Sequence, residues 1–225
     1  MIRLDKYLAN LWLVSRRTAE KIFRSTVILV NGEAATKIDQ KIHYGDVITF
    51  DEVEIDVLEF VYCILYKTAG YISSDEDELG YLSYRNQMQD CPYVNMLHVA
   101  GRLDQDTEWL LLLSNNGVFI HQTISPKKEK EKEYEVHLEK RISDFDLKKL
   151  EAGVVLDDGY KTRPAKAAHL DHKKISLIIT EGKFHQVKRM LEAVGHKVIY
   201  LKRIRIGDWN LDGLQPGEWK YIEKI

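Results

Sequence analysis

Gly101-Arg102-Leu103-Asp104-Gln105-Asp106-Thr107-Glu108-Trp109-Leu110-Leu111-Leu112-Leu113-Ser114 sets an Arg-Leu-Asp step just ahead of four consecutive leucines. The leucines read as a buried strand. A carboxylate held against a guanidinium at the lip of such a strand is stored ionised where substrate can reach it, which makes Asp104 the first candidate for chemistry. An Arg and an Asp two positions apart also form weak, solvated pairs on ordinary surface turns, so spacing alone leaves both readings open. Asp106 adds a third: two carboxylates two positions apart on a strand can share a face, as the acid and base of a glycoside hydrolase would. Nothing else in the chain suggests a sugar cleft lined by aromatics and acids.

The surrounding chain bounds the setting. With 225 residues, 44% hydrophobic and 30% charged, it suits one large domain or two unequal ones with a sizeable core. No apolar stretch approaches the length of a membrane span, and Met1-Ile2-Arg3-Leu4-Asp5-Lys6 lacks the apolar core of a signal peptide, so a soluble, cytoplasmic protein is expected. Cys63 and Cys91 stand in no metal-ligand spacing and imply neither a disulfide framework nor a zinc site; buried thiols are expected. The net charge of −2 excludes a generic polycation, but its distribution is uneven. Residues 1–50 carry eight basic and five acidic side chains, whereas Asp51 to Glu59 holds five acids and no base.

The first fifty residues read as a compact helix-helix-hairpin module. Leu4, Tyr7, Leu8 and Leu11 recur at helical spacing, and Ser15 is positioned to cap a second helix over Arg16 to Arg24. Val27-Ile28-Leu29-Val30 reads as a strand, Asn31-Gly32 as a tight turn, and Gly45-Asp46 introduces another strand at Val47-Ile48-Thr49-Phe50. Arg16, Arg17, Lys21 and Arg24 lie within a few turns and can reach phosphates, although a solvated helix face would look the same. The acidic stretch 51–59 reads as a linker, so the domains are 1–59 and 60–225. The second starts with the apolar strand Val61 to Tyr66, and strands continue at Lys132 to Leu138 and Ile175 to Thr180, with helical periodicity over Asp144 to Ala152 and His185 to Val194. This mixture predicts an α+β fold on a largely antiparallel sheet. Thr180-Glu181-Gly182-Lys183-Phe184-His185-Gln186-Val187-Lys188-Arg189-Met190 crowds cations at the start of its helix, against the helix dipole, which points to an anion nearby or to a basic surface helix.

These segments together resemble the RsuA family of pseudouridine synthases, which modify ribosomal RNA. Gly101-Arg102-Leu103-Asp104 with Asp106 and Thr107 looks like the family's catalytic loop, and the likeness runs almost end to end. Arg3-Leu4-Asp5-Lys6-Tyr7-Leu8, Val14-Ser15-Arg16-Arg17-Thr18-Ala19-Glu20, Val30-Asn31-Gly32 and Gly45-Asp46 are similar to the alpha-L RNA-binding domain shared with a small-subunit ribosomal protein. The resemblance implies that Asp104 is the catalytic carboxylate, that Lys188 pairs with it, and that Tyr134 stacks on the target base. It further implies that Arg102 enters the RNA stack or holds the space left by the flipped nucleotide, and that Arg189 contacts RNA or braces the loop. Arg3, Lys6, Arg16, Arg17, Lys21 and Arg24 are the expected RNA contacts of the first domain. No metal or redox cofactor is implied, and the expected partner is ribosomal RNA, free or in a partly assembled small subunit, met by a monomer.

Met96-Leu97-His98-Val99-Ala100-Gly101, Arg203-Ile204-Arg205-Ile206-Gly207 and Leu214-Gln215-Pro216-Gly217-Glu218-Trp219 look most like the small-subunit (16S) branch. A large-subunit synthase, or an RNA-binding protein of ribosome assembly with impaired turnover, are the alternatives. Three departures from the family stand out. Trp109 occupies a position that is usually Gly, where close backbone approach or positive φ is expected. Tyr66 and Thr68 replace an Asn and a Pro, which loosens a turn and removes a loop hydrogen bond. Ser25-Thr26-Val27 replaces a Gly and a basic residue, which weakens a turn and removes a phosphate contact.

Overall fold

The computed structural model describes residues 1–223. The N-terminal module comprises β1 (Ile2–Arg3), α1 (Leu4–Leu11), α2 (Arg16–Ser25), β2 (Ile28–Val30), β3 (Glu33–Ala34), β4 (Lys41–Ile42), β5 (Val47–Phe50) and β6 (Val53–Asp56). Ser15 caps α2 as expected, its hydroxyl accepting from the Thr18 N–H at 3.1 Å. At the other end of α2 the backbone passes straight into extended Thr26 (φ −139°), so the missing glycine leaves no weakened turn there. Asn31 and Gly32 both take positive φ, the geometry that a two-residue hairpin turn requires.

The acidic stretch is not a free linker. Residues 53–56 pair with β5 as the edge of a four-stranded sheet ordered β3-β2-β5-β6, joined by a left-handed turn at Asp51 and Glu52. Ile55 points into the core while Val53, Glu54 and Asp56 face solvent. Acids on the solvent side of an edge strand deter further pairing, and the same acids read from sequence as a linker.

The rest of the chain builds one nine-stranded sheet. Its strands are β7 (Tyr62–Lys67), β8 (His98–Val99), β9 (Glu108–Ser114), β10 (Lys132–Leu138), β11 (Lys166–Asp171), β12 (Lys174–Ile179), β13 (Val198–Ile206), β14 (Trp209–Asn210) and β15 (Trp219–Tyr221). The main order is β11-β12-β10-β13-β9-β7-β15, antiparallel except where β9 runs parallel to β13. The helices α3 (Gly117–Ile124), α4 (Asp144–Ala152) and α5 (Gln186–Ala193) complete the domain.

The leucine run of β9 is buried on both faces, as a continuous apolar strand must be. Leu111 and Leu113 share a core with Cys63 and Leu65 of β7 and with Leu4, Leu8, Leu11, Ile28 and Ile48 of the N-terminal module. Leu110 and Leu112 face a second core with Tyr62, Ile64 and Phe119 of α3. A third packs α4 and α5 on the inner face of β10 and β12. The first core crosses the expected domain boundary, and Tyr7 and Tyr93 both donate to the Asp56 carbonyl, at 3.1 and 2.8 Å. Both cysteines are free and buried.

Trp109 keeps the glycine-like backbone at φ +86°. Its indole packs edge-on to Tyr66, with ring centroids 5.5 Å apart, and Lys202 Nζ lies 4.1 Å from its ring centre. The two departures at 66 and 109 therefore touch, and their packing offsets a backbone strain of about 1–3 kcal/mol. Thr68, in place of the proline, accepts from Gln87 Nε2 at 2.9 Å and ties the turn that proline would have stiffened. Trp109→Ala loses the indole and keeps the strain, whereas Trp109→Gly loses both. In denaturant titrations the Ala variant should therefore be less stable than the Gly variant by about 1 kcal/mol, the reverse of the usual order in a strand; the usual order would contradict this account of position 109.

Candidate active site

Asp104 lies in the irregular segment between β8 and β9, where the backbone has no ladder to satisfy it. Two buried cations donate to its carbonyls. Lys67, at the end of β7 and fully buried, points its ammonium into the loop and donates to the carbonyls of Thr68, Asp104, Gln105 and Thr107, at 3.2, 3.2, 3.4 and 2.8 Å. Arg203, 1% exposed on β13, donates to the carbonyls of Gly101, Arg102 and Leu110, the first at 2.8 Å. Ser73 closes the remaining gap, accepting from Leu103 N–H and donating to Leu103 carbonyl at 3.0 and 2.9 Å. Gly101 enters the segment at φ +103°, which a side chain would strain.

The carboxylate of Asp104 is a quarter exposed and is met from α5. Lys188 Nζ lies 3.2 Å from its Oδ2 and His185 Nε2 lies 3.5 Å from its Oδ1. Lys188 also donates to Asp106 Oδ1 at 2.6 Å, so one ammonium bridges both carboxylates. Burial acts to lower the Lys188 pKa, but the Asp106 hydrogen bond and the Asp104 charge outweigh it and the group is raised, firmly charged at neutral pH. Burial acts to raise Asp106, and Lys188 overcomes it, leaving that carboxyl below its ordinary value. Asp106 is two-thirds exposed and shares a cation with Asp104. A lysine bridging both, with Asp106 below its ordinary value, is unlike a glycosidase dyad, in which one carboxyl is held protonated.

An anchored loop, a partly exposed carboxylate and a cation fixed against it form a site suited to nucleophilic or general-base chemistry. Over residues 61–193 the chain matches the family model described as RNA pseudouridylate synthase, and over residues 2–48 that of the S4 domain. The chain belongs to the RNA pseudouridine synthase family. A ribosomal small subunit pseudouridine synthase A of Vibrio parahaemolyticus is 39% identical over 98% of this chain and 96% of its own length. A ribosomal large subunit pseudouridine synthase B of Bacillus subtilis is also 39% identical, over 97% and 91%. A crystal structure of a pseudouridylate synthase superposes with a TM-score of 0.69 at 34% identity, covering 99% of this chain and 96% of that one.

The other expected residues of the synthase fall in different places. Tyr134, on β10 between Leu177 and Arg203, is 8% exposed within the core under α5 and makes no hydrogen bond to Asp104. Arg102 is exposed and has no ion-pair partner among the described residues. Arg189 is occupied: its guanidinium binds Asp157 and Asp158, the latter at 2.8 Å, and braces that turn at the surface. In the N-terminal module Arg3 and Arg16 both clamp the buried carboxylate of Asp5, and Arg24 pairs with Glu20 at 2.6 Å. Burial acts to raise the Asp5 carboxyl; Arg16 and Arg3 bring it below its ordinary value. Lys6, Arg17 and Lys21 stand exposed without ion pairs among the described residues.

Sequence reasoning missed Lys67, Arg203 and His185. Lys67 ends an apolar strand and Arg203 is one of three cations, with Lys202 and Arg205, on β13; nothing local marks either as inward. Burial pushes Lys67 down to about 8 although Glu108, Asp106 and Asp104 pull it upward. That value lies below the ordinary 10.5, so between about pH 8 and 10.5 the unfolded chain holds a proton that the folded chain has released. Stability from this group therefore rises with pH across that window, by at most about 1.4 kcal/mol per pH unit, while the loop loses a donor. Relative to Lys67→Met, the wild type should gain stability between pH 8 and 10 in denaturant titrations as its turnover declines. A stability difference that stays flat over the range would contradict the depressed lysine.

Proposed function

We propose that this synthase isomerises uridine in ribosomal RNA, in the small (16S) subunit, with Asp104 as its catalytic carboxylate. The observation that carries the reading is the Asp104 carboxylate gripped by Lys188 on a loop whose carbonyls are fixed by Lys67 and Arg203. The names of several small-subunit relatives covered almost end to end support the subunit, and the large-subunit relative of equal identity makes that RNA the necessary comparison. A cytoplasmic setting accords with this substrate, and no helix among the described residues is long and apolar enough to cross a membrane.

The reaction breaks the bond from uracil N1 to the anomeric carbon, with the electron pair passing to the base. Uracil turns, its C5 bonds to the anomeric carbon, the C5 hydrogen leaves as a proton, and N1 is reprotonated. Asp104 acts at the sugar, either bonding to the anomeric carbon or removing the proton of the neighbouring carbon; both demand an ionised carboxylate. Lys188 and His185 each stand against one oxygen, so the carboxylate keeps its direction when RNA excludes water. Tyr134 lines the base pocket, and Arg102, exposed two residues from the carboxylate, takes the place of the extruded nucleotide. Lys6, Arg17 and Lys21 supply phosphate contacts, while Arg3 and Arg16 chiefly keep Asp5 paired and Arg189 keeps its loop in place.

Tritium release from rRNA labelled at uracil C5 tests the assignment. Asp104→Asn should lower release from small-subunit RNA at least about a thousandfold with the melting temperature retained. Release from large-subunit RNA alone would move the substrate, and activity in the Asn variant would move the catalytic group. Arg17→Gln and Lys21→Gln should each reduce the slope of log affinity against log salt by about one, with single-turnover rates intact. Arg16→Gln should instead lower the melting temperature, because it leaves the buried Asp5 carboxylate with one partner fewer.

A further inference from the structure

The passage from β12 into α5 is rigid, and it holds one large apolar ring in solvent. Glu181, 2% exposed, accepts from Tyr160 hydroxyl, Arg163 N–H and Gln186 Nε2 at 2.7, 3.0 and 2.7 Å. Gln186 in turn accepts from Lys183 N–H at 2.8 Å, closing the turn between them. Within this brace His185 takes a left-handed backbone, φ +47°, which carries its imidazole to Asp104. Phe184 is left 73% exposed. Its ring lies parallel to the imidazole, with centroids 3.8 Å apart and planes 18° from one another. One face of the phenyl ring is therefore covered by His185, and the ring stands one residue from a group touching the carboxylate.

An exposed phenylalanine alone needs no explanation. This one differs in being backed by a second ring and placed beside the carboxylate of a site that must admit an unstacked nucleotide. Every nucleobase has a π face, and a neighbour of an extruded nucleotide has lost a stacking partner. We propose that Phe184 is a stacking platform for a nucleobase of the substrate RNA flanking the target uridine, with His185 as its backing. The proposal rests on the reading of Asp104 as the catalytic carboxylate. The stack runs base, phenyl, imidazole, and its inner end lies against Asp104, which places the flanking base beside the carboxylate. The contact reads base planes and carries no charge, so it adds affinity without adding to the salt dependence that phosphate contacts create.

The test uses the full chain with Phe184→Ala, Phe184→Leu and Phe184→Trp, measuring tritium release and filter binding on a small-subunit rRNA transcript, with binding repeated in an Asp104→Asn background. The Ala and Leu variants should raise KM and Kd about tenfold, with kcat at saturating RNA close to wild type and the salt slope unchanged. Trp should restore both constants. Wild-type affinity in the Leu variant would overturn the proposal, since an aliphatic side chain has no π face. So would a fall in kcat with KM unchanged, which would make Phe184 a brace for His185 only. Activity in Asp104→Asn would refute the catalytic assignment separately, because the binding arm does not depend on turnover.

Discussion

The site depends on two cations buried beneath a loop. Seven residues of the segment 101–110 direct backbone carbonyls at buried side-chain donors: Lys67 and Arg203 take six of these and Ser73 takes Leu103. Burying an ammonium or a guanidinium is unfavourable unless it is fully hydrogen-bonded, and leaving loop carbonyls dry is unfavourable unless they find donors. Each requirement meets the other. The loop is therefore held through its backbone, which leaves the side chains of Arg102, Asp104 and Asp106 available to a partner.

That arrangement separates two uses of positive charge. Lys67 and Arg203 lie under the loop and fix it, whereas Lys188 reaches its carboxylates from α5 on the solvent side. The same division recurs in the N-terminal module. Arg3 and Arg16 are spent on the buried Asp5, while Lys6, Arg17 and Lys21 remain exposed. Counting cations overstates the surface offered to phosphates in both places. The N-terminal module also contributes Leu4, Leu8 and Leu11 to the core beneath β7 and β9, so the module that carries the exposed Lys6, Arg17 and Lys21 shares its packing with the strands that flank the Asp104 loop.

The departures from the family pattern are resolved by packing. Trp109 adopts the positive φ expected of a glycine, and Tyr66 supplies the ring against which its indole rests. Read singly from sequence, each substitution argued for a loosened or obstructed loop. Together they form an aromatic contact on the face of the sheet opposite Leu111 and Leu113, away from the Lys67 ammonium.

Much of the architecture was legible locally. Helical spacing located α1, α2, α4 and α5, alternation located β10, and the unbroken leucine run marked β9 as a strand covered on both faces. The family motifs named Asp104 and Lys188 as a pair, and the fold brings them to 3.2 Å. Local periodicity reports which face of an element is apolar; it carries no information about which distant element lies opposite. Lys67 meets the loop across 37 residues of chain and Arg203 across 102, and those meetings follow from the sheet order, with β9 between β7 and the parallel β13. The sequence by itself determined most of the long elements and, through the family resemblance, the pairing of Asp104 with Lys188 that the fold displays. Tertiary structure alone decided which cations turn inward, because a lysine at a strand end is apolar stem and charged head at once, and only its neighbours settle where the head is satisfied.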